Sequence, residues 1–325
     1  MLAYIIRRLV VSCVVLFLAT VFVFLLVSYS GNPLALLRLN PHTPESTIRA
    51  RELLLHLNDP LWQRYWIWFT GAIHGNFGVT VAGEAVGPQL TAHLFVTMRM
   101  VILATVLSIF LAISVGVIAA LRHGKATDRV ATVTNFVFLA APVFVVGLLL
   151  KEFVAIPIDL HLHRILLYTD GDQSPLLSGP FITRLPDYAE HTILPTITLI
   201  LATYSSWAIY QRSTLLDVID SDHVRLARAK GISPRRVLFR HILRNALIPV
   251  TTVIALDFAG ILGGAVISEI VFGWQGLGVW FLQGVNNIDV NITLAYLLIT
   301  AVIVVLFNLV ADILYAILDP RIRYD

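Results

Sequence analysis

The chain has 325 residues, of which 58% are apolar and only 13% charged, with 23 Lys and Arg against 20 Asp and Glu. A soluble domain averages about 45–50% apolar and about 25% charged residues, so a mean hydropathy of +0.82 excludes an ordinary water-soluble globule and points to a polytopic membrane protein. The lone cysteine, Cys13, excludes an internal disulfide framework.

The first predicted element is an apolar helix from Leu9 to Tyr29, preceded by Arg7-Arg8. It exceeds the roughly 7–15 apolar residues of a cleavable signal core, so an uncleaved span is expected. Cys13 is expected inside it as a small buried apolar residue. Residues 31–99 form a long polar and aromatic segment. Pro44-Glu45-Ser46-Thr47 opens one helical pattern through Leu53 and Leu57. Asp59-Pro60 opens a second, carrying Trp62, Tyr65, Trp66, Trp68 and Phe69, which suits a helix at the lipid headgroup level.

Five further uncharged or nearly uncharged runs follow, near 100–121, 130–150, 191–211, 245–268 and 290–311. About 20 residues suffice to cross a hydrocarbon core, and backbone in lipid must satisfy its own hydrogen bonds, so six helical spans are expected. With the N-terminus inside, segments 1–8, 122–129, 212–244 and 319–325 hold 15 of the 23 Lys and Arg. That excess predicts an N-in, C-in orientation. Between the third and fourth spans, residues 151–190 are polar and without periodicity. His161 and His163 stand there two apart, without a third ligand of fitting spacing, which argues against a metal site.

The segment RLARAKGISPRRVLFRHILRNALIP, 225–249, breaks the apolar pattern. Ser221 or Asp222 can cap a helix running to Lys230, with Gly231 as its stop. Ser233 followed by Pro234 starts a second helix, with Val237, Leu238 and Ile242 on one side and Arg236, Arg240 and Arg244 on another. Such a basic helix pair suits a lipid headgroup surface, a DNA-reading motif, or a docking element whose apolar stripe fits a cytoplasmic partner. Spacing alone does not choose among them. The chain has no G-x-x-x-x-G-K-[ST] phosphate loop. Two acids lie in or beside the fifth span, Asp257 near its middle and Glu269 near its outer end. Membrane carboxylates of this kind are candidates for a translocation path or for a subunit contact. Asp312 reads as a packing or interface acid.

ARAKG at 227–231 and RNALIP at 244–249 resemble the cytoplasmic loop of binding-protein-dependent ABC importer permeases. YIIRRLVVS at the N-terminus, NDPLWQRYWIWFTGAIHGNFGVT at 58–80, GGAVISEIVFGWQGLG at 263–278 and NLVADILYAILDPRIR at 308–323 narrow the likeness to the first (B-type) permease of the dipeptide/oligopeptide and nickel family. Arg225, Leu226 and Ala227 stand where the wider superfamily has Glu-Ala-Ala, and Asn76 stands where the family usually has Asp.

The resemblance implies an all-α, six-span type I importer permease in a bacterial cytoplasmic membrane, and a chain that is not itself an enzyme. Its domains would be a tail and first span (1–30), an extracytoplasmic segment (31–99), a five-span core (100–318) with cytoplasmic coupling helices at 212–244, and a tail (319–325). It implies a second permease subunit, one or two cytoplasmic ATPases carrying ATP and Mg, and an extracytoplasmic peptide-binding protein. No cofactor on this chain and no nucleic acid are expected, and membrane lipid is an expected contact. Oligopeptides or dipeptides would be the cargo, with nickel, glutathione or another small solute as the alternative. The ATPase-coupling set it implies is Arg225, Leu226, Ala227, Arg228, Ala229, Lys230, Gly231, Ser233, Pro234, Arg235 and Arg236. Asp257 and Glu269, read from their place in the membrane and not from the resemblance, are the candidates for the path, with a subunit contact as the alternative.

Overall fold

The computed structural model describes residues 2–175 and 180–318. The expected tail at 319–325 lies outside the described residues. The described residues are mostly helical and contain no strand, only one isolated antiparallel bridge between Val79 and Ala85. Five helices are long and apolar enough to cross a membrane, and a sixth crossing is available only if a bent helix pair counts as one span. Two compact units divide the chain, 1–97 with 275–305 and 98–274 with 306–325.

In the first unit, helix α1 (Leu2–Ser30) is followed by α2 (Ala35–Leu39), α3 (Glu45–Leu54) and α4 (Leu61–Ile73). Cys13 is exposed on α1 and not buried as expected, because α1 packs only along one flank. Pro44 and Pro60 occupy the N-cap positions of α3 and α4, where an absent N–H removes nothing from the helix. The aromatic helix α4 packs along α1. Tyr65 meets Phe17 and Phe24 edge-on, at ring-centroid distances of 6.0 and 5.4 Å, and its hydroxyl hydrogen-bonds the Thr20 hydroxyl at 3.0 Å. Phe17 lies thirteen residues before Ser30, about 20 Å along a helix axis. The aromatic helix therefore runs down the flank of the first span and is not confined to the end of that span. Helix α5 (Val86–Leu121) begins in this unit. Its first turns pack through Val86 and Leu90 on Leu277 and Trp280 of α13 (Leu277–Asn286) and on Ile292 of α14 (Val290–Leu318).

In the second unit, α9 (Phe181–Ile219) is the hub against which α6 (Ala126–Ala140), α7 (Val143–Leu150) and α12 (Arg244–Val271) pack. Gly116 lets α5 approach it, since a Cβ there would stand 2.8 Å from Gln211 and 2.9 Å from the Ala208 carbonyl. The span expected at 130–150 is not one straight helix. Ala141 is extended (ψ 125°) ahead of Pro142, as the pre-proline position demands, and the chain bends by 106°. Beyond it, α7 continues through a π-helical turn, Lys151–Ala155, into α8 (Ile156–Leu162), so part of the segment read as irregular is helical. His163 ends α8 with φ 51°, a left-handed cap. Arg99 lies between the rings of Tyr188 and Trp274, 4.5 and 4.6 Å from their centroids, and donates to the Asp172 carbonyl. His191 stacks on Tyr168 at 3.8 Å and its Nδ1 lies 2.8 Å from the Asp187 carbonyl. These contacts fasten the 168–174 segment to α9.

Candidate functional site

Ser221 stands at the N-cap of α10 (Asp222–Ala229), and Asp222 supplies the acid that suits the positive end of the helix. Lys230 closes it, and Gly231 follows with φ +70°. Nothing lies within 4 Å of where its Cβ would be, so the left-handed backbone and not crowding requires glycine there. Ser233 then occupies the N-cap position of α11 (Pro234–Arg236) without a side-chain capping bond, and Pro234 lies in the first turn.

Periodicity predicts two short helices, but only the first is separate. α11 runs without interruption through a π-helical stretch, Val237–Leu243, into α12. The segment from Pro234 to Val271 is thus 38 residues of continuous helix. No glycine or loop residue intervenes to stop it, and Pro249 sits inside α12 without ending it. Residues 212–219 likewise belong to the end of α9.

The apolar stripe also differs from its expected role as a partner anchor. Val224, Ala227, Val237, Ile242 and Ala246 are buried against Leu215 and Ala120 in a small core of their own unit, and Leu238 packs on its edge. Burying each valine or isoleucine is worth about 1.5–3 kcal/mol, so this stripe holds α10 against α9 and α12. What remains outside is different. Arg225, Arg228, Ala229, Lys230, Gly231, Ser233, Pro234, Arg235 and Arg236 are exposed, and none of the basic residues among them forms an ion pair among the described residues. Leu226 (56% exposed) and Phe239 (66% exposed) stand among them as the outward apolar side chains. Sequence reasoning misses Phe239, because the Val237–Ile242 face carries the more regular apolar spacing. It falls on the opposite side of the same helical turn.

Beside this corner, Arg212 on α9 grips Asp128 in the first turn of α6. Its Nε donates to Oδ1 at 2.6 Å and its Nη2 to Oδ2 at 2.9 Å, while the Gly124 N–H adds a third bond to Oδ2 at 2.9 Å. Two planar groups meeting along parallel N–H···O bonds fix an angle as well as a distance. No local sequence signal pairs residues 84 positions apart, so this clamp emerges only in the fold.

Of the two path acids, Asp257 is exposed in the middle of α12, and its Oδ2 accepts from the Trp207 indole N–H at 2.9 Å. Glu269, three turns further, is fully buried within its unit. Asp312 is half-buried on α14.

Comparison with known proteins bears directly on this arrangement. Residues 112–324 match the family described as "Binding-protein-dependent transport system inner membrane component", and residues 1–116 match its N-terminal companion. The chain is 37% identical to the oligopeptide transport system permease protein OppB of Mycobacterium tuberculosis over 98% of both chains. It is 36% identical to the oligopeptide transport system permease protein AppB of Bacillus subtilis over the whole of both. Among solved structures it resembles the inward-facing MetNI methionine ABC transporter, with a TM-score of 0.53 at 14% identity, covering 71% of this chain and 96% of that one. That likeness concerns the fold, and it agrees with long helices packed on a central α9. The chain therefore belongs to the family of binding-protein-dependent transport system inner membrane components, as a multi-pass permease subunit of the peptide-permease B type.

Proposed function

We propose that this chain is one of two permease subunits of an ATP-driven importer that takes up oligopeptides or dipeptides across a bacterial cytoplasmic membrane. The observation that carries the mechanism is the exposed corner at α10 and α11. Arg225, Arg228, Lys230, Arg235 and Arg236, without ion pairs among the described residues, surround Leu226 and Phe239, and the corner is continuous with the long helix α12. A cytoplasmic ATPase seated on that corner would hold a rigid handle on α12. Closure of an ATPase dimer could then rock the helix, provided the corner makes different contacts in the open and closed states. ATP and Mg belong to those partners, an extracytoplasmic binding protein delivers the peptide, and this chain acts without cofactor or nucleic acid. In the N-in, C-in orientation the corner lies on the ATPase side. Asp257, with one carboxylate oxygen beyond its bond to Trp207, is the candidate in the path for a peptide's amino terminus. Glu269 packs inside the same helix's unit as its support.

Uptake of a labelled peptide by cells expressing the complete system, with unlabelled glutathione, nickel and peptides of several lengths as competitors, tests the cargo. Competition by peptides alone is expected. Competition by nickel or glutathione alone would replace peptide with that solute. Retention of P-loop ATPases on the detergent-solubilised chain, and their loss on Phe239→Asp, tests the corner itself.

A further inference from the structure

Two hollows in the first unit share one wall. A pocket of about 270 Å³ is lined by Arg64, Trp68, His56, Asn76 and Asp289. Its polar groups are nearly all engaged within the chain. Asp289 accepts from the Val81 and Ile292 N–H groups, His56 pairs with Asp59 at 2.9 Å, and Asn76 Oδ1 accepts from the Gly78 N–H. The exceptions are donors. Arg64 Nε and Trp68 Nε1 are buried with no acceptor, and Arg64 forms no ion pair among the described residues. They stand four residues apart on one face of α4. Buried donors without acceptors are costly, and an oxygen-bearing anion would satisfy both.

The second hollow is an apolar groove of about 840 Å³ between α1 and α4, lined by Phe17, Val21, Leu25, Trp62 and Trp66. Phe24 lines both hollows, and the Arg64 guanidinium lies 5.9 Å from the centre of its ring. From Phe24, where the Arg64 guanidinium lies, to Phe17 the groove follows α1 for about 10 Å at 1.5 Å per residue, within the depth of one leaflet, about 15 Å. A helix from another subunit could fill the groove, but it would leave the two donors unanswered. A molecule with one oxyanion and an apolar tail answers both.

We infer that α1 and α4 form a binding site for an anionic phospholipid, its phosphate oxygens received by Arg64 and Trp68 and an acyl chain lying along Phe24 and Phe17. The site would fasten the aromatic helix to the first span through a lipid bound to each chain.

The full chain, purified in detergent and mixed with equal phosphatidylglycerol and phosphatidylcholine, is studied by native mass spectrometry. Preferential retention of phosphatidylglycerol is expected. Arg64→Gln should lower that preference about fivefold, the size of one basic contact with an anionic surface, while Arg64→Lys keeps most of it and Arg49→Gln, on exposed α3, leaves it unchanged. Inorganic phosphate should not displace the lipid, because it lacks the tail. Equal retention of the two lipids, or the same preference in Arg64→Gln, overturns the site. Unchanged lipid with loss of an extracytoplasmic binding protein in that variant also overturns it and transfers Arg64 to a protein contact.

Discussion

At the scale of single residues, Gly231 is constrained by its backbone alone. Its φ of +70° is open to glycine and costs an L-residue about 1–2 kcal/mol, with β-branched side chains worst placed. Because no atom crowds the position, Gly231→Val does not disturb the buried core under α10. The expected result is normal membrane insertion with peptide uptake abolished and ATP hydrolysis no longer stimulated by cargo. Wild-type uptake by this variant, measured with labelled peptide, would remove Gly231 from the coupling assignment. Asp289 is constrained electrostatically. Burial pushes its carboxyl above the ordinary carboxylate range, against the pull of the backbone N–H groups of Val81, Ile292 and Asn291. A raised folded-state pKa means the folded form holds its proton more tightly than the unfolded form. The stability this contributes is complete below the ordinary carboxylate pKa and is lost as pH rises through the raised value. Asp289→Asn should therefore flatten the fall in thermal midpoint across that window, and an unchanged pH profile would contradict it.

At the scale of elements, the first turn of α6 is tied to the end of α9 by the Arg212–Asp128 clamp. Asp128 is nearly buried, so Asp128→Ala would leave a guanidinium and the Gly124 N–H without their acceptor. Removing one partner of such a pair costs about 2–4 kcal/mol. The apparent thermal midpoint, or the half-life at fixed temperature, should drop accordingly. Arg212→Lys, which keeps the charge but not the fork, should fall between that variant and the wild type. If Asp128→Ala is as stable as the wild type, the clamp contributes nothing to fold stability. The same elements separate what is legible in the sequence from what is not. Apolar runs locate α1, α5, α9, α12 and α14, because a membrane span is a one-dimensional property of composition. Helix starts at Pro44, Pro60 and Pro234 are legible from proline chemistry. The break at Ala141-Pro142 is not legible in the same way, since Pro195 and Pro249 also interrupt apolar runs and leave α9 and α12 continuous. The outward turn of Phe239 and the continuity of α11 with α12 depend on which face packs inside, and no local pattern in a uniformly amphipathic stretch decides that. Arg212–Asp128 and Trp207–Asp257 are long-range pairs that appear only after folding.

At the scale of the whole molecule, the isolated chain leaves α12 incomplete. Leu256 is 70% exposed on it, Asp257 is exposed beside it, and at Gly260 and Gly263 a Cβ would meet no heavy atom within 4 Å. A carboxylate facing hydrocarbon costs about 2.5–3.5 kcal/mol even on the mildest scale, and one indole hydrogen bond at 2.9 Å offsets only part of that. That face of α12 must therefore meet water or another polypeptide, and the proposed path between two permease subunits would supply both. Chemical access is the consequence. In a Cys13→Ser background, which removes the only native thiol, Gly260→Cys should react with a membrane-impermeant maleimide in the assembled complex. Its rate should change when the ATPases are trapped with a non-hydrolysable nucleotide, because the proposed rocking of α12 would alter the exposure of its mid-membrane face. Val106→Cys, on a strongly exposed turn of α5 with no acid beside it, serves as the lipid-facing reference and should stay unlabelled in both states. If Gly260→Cys behaves like that reference, α12 faces lipid, Asp257 loses its place in the path, and a subunit contact must pair the carboxylate instead.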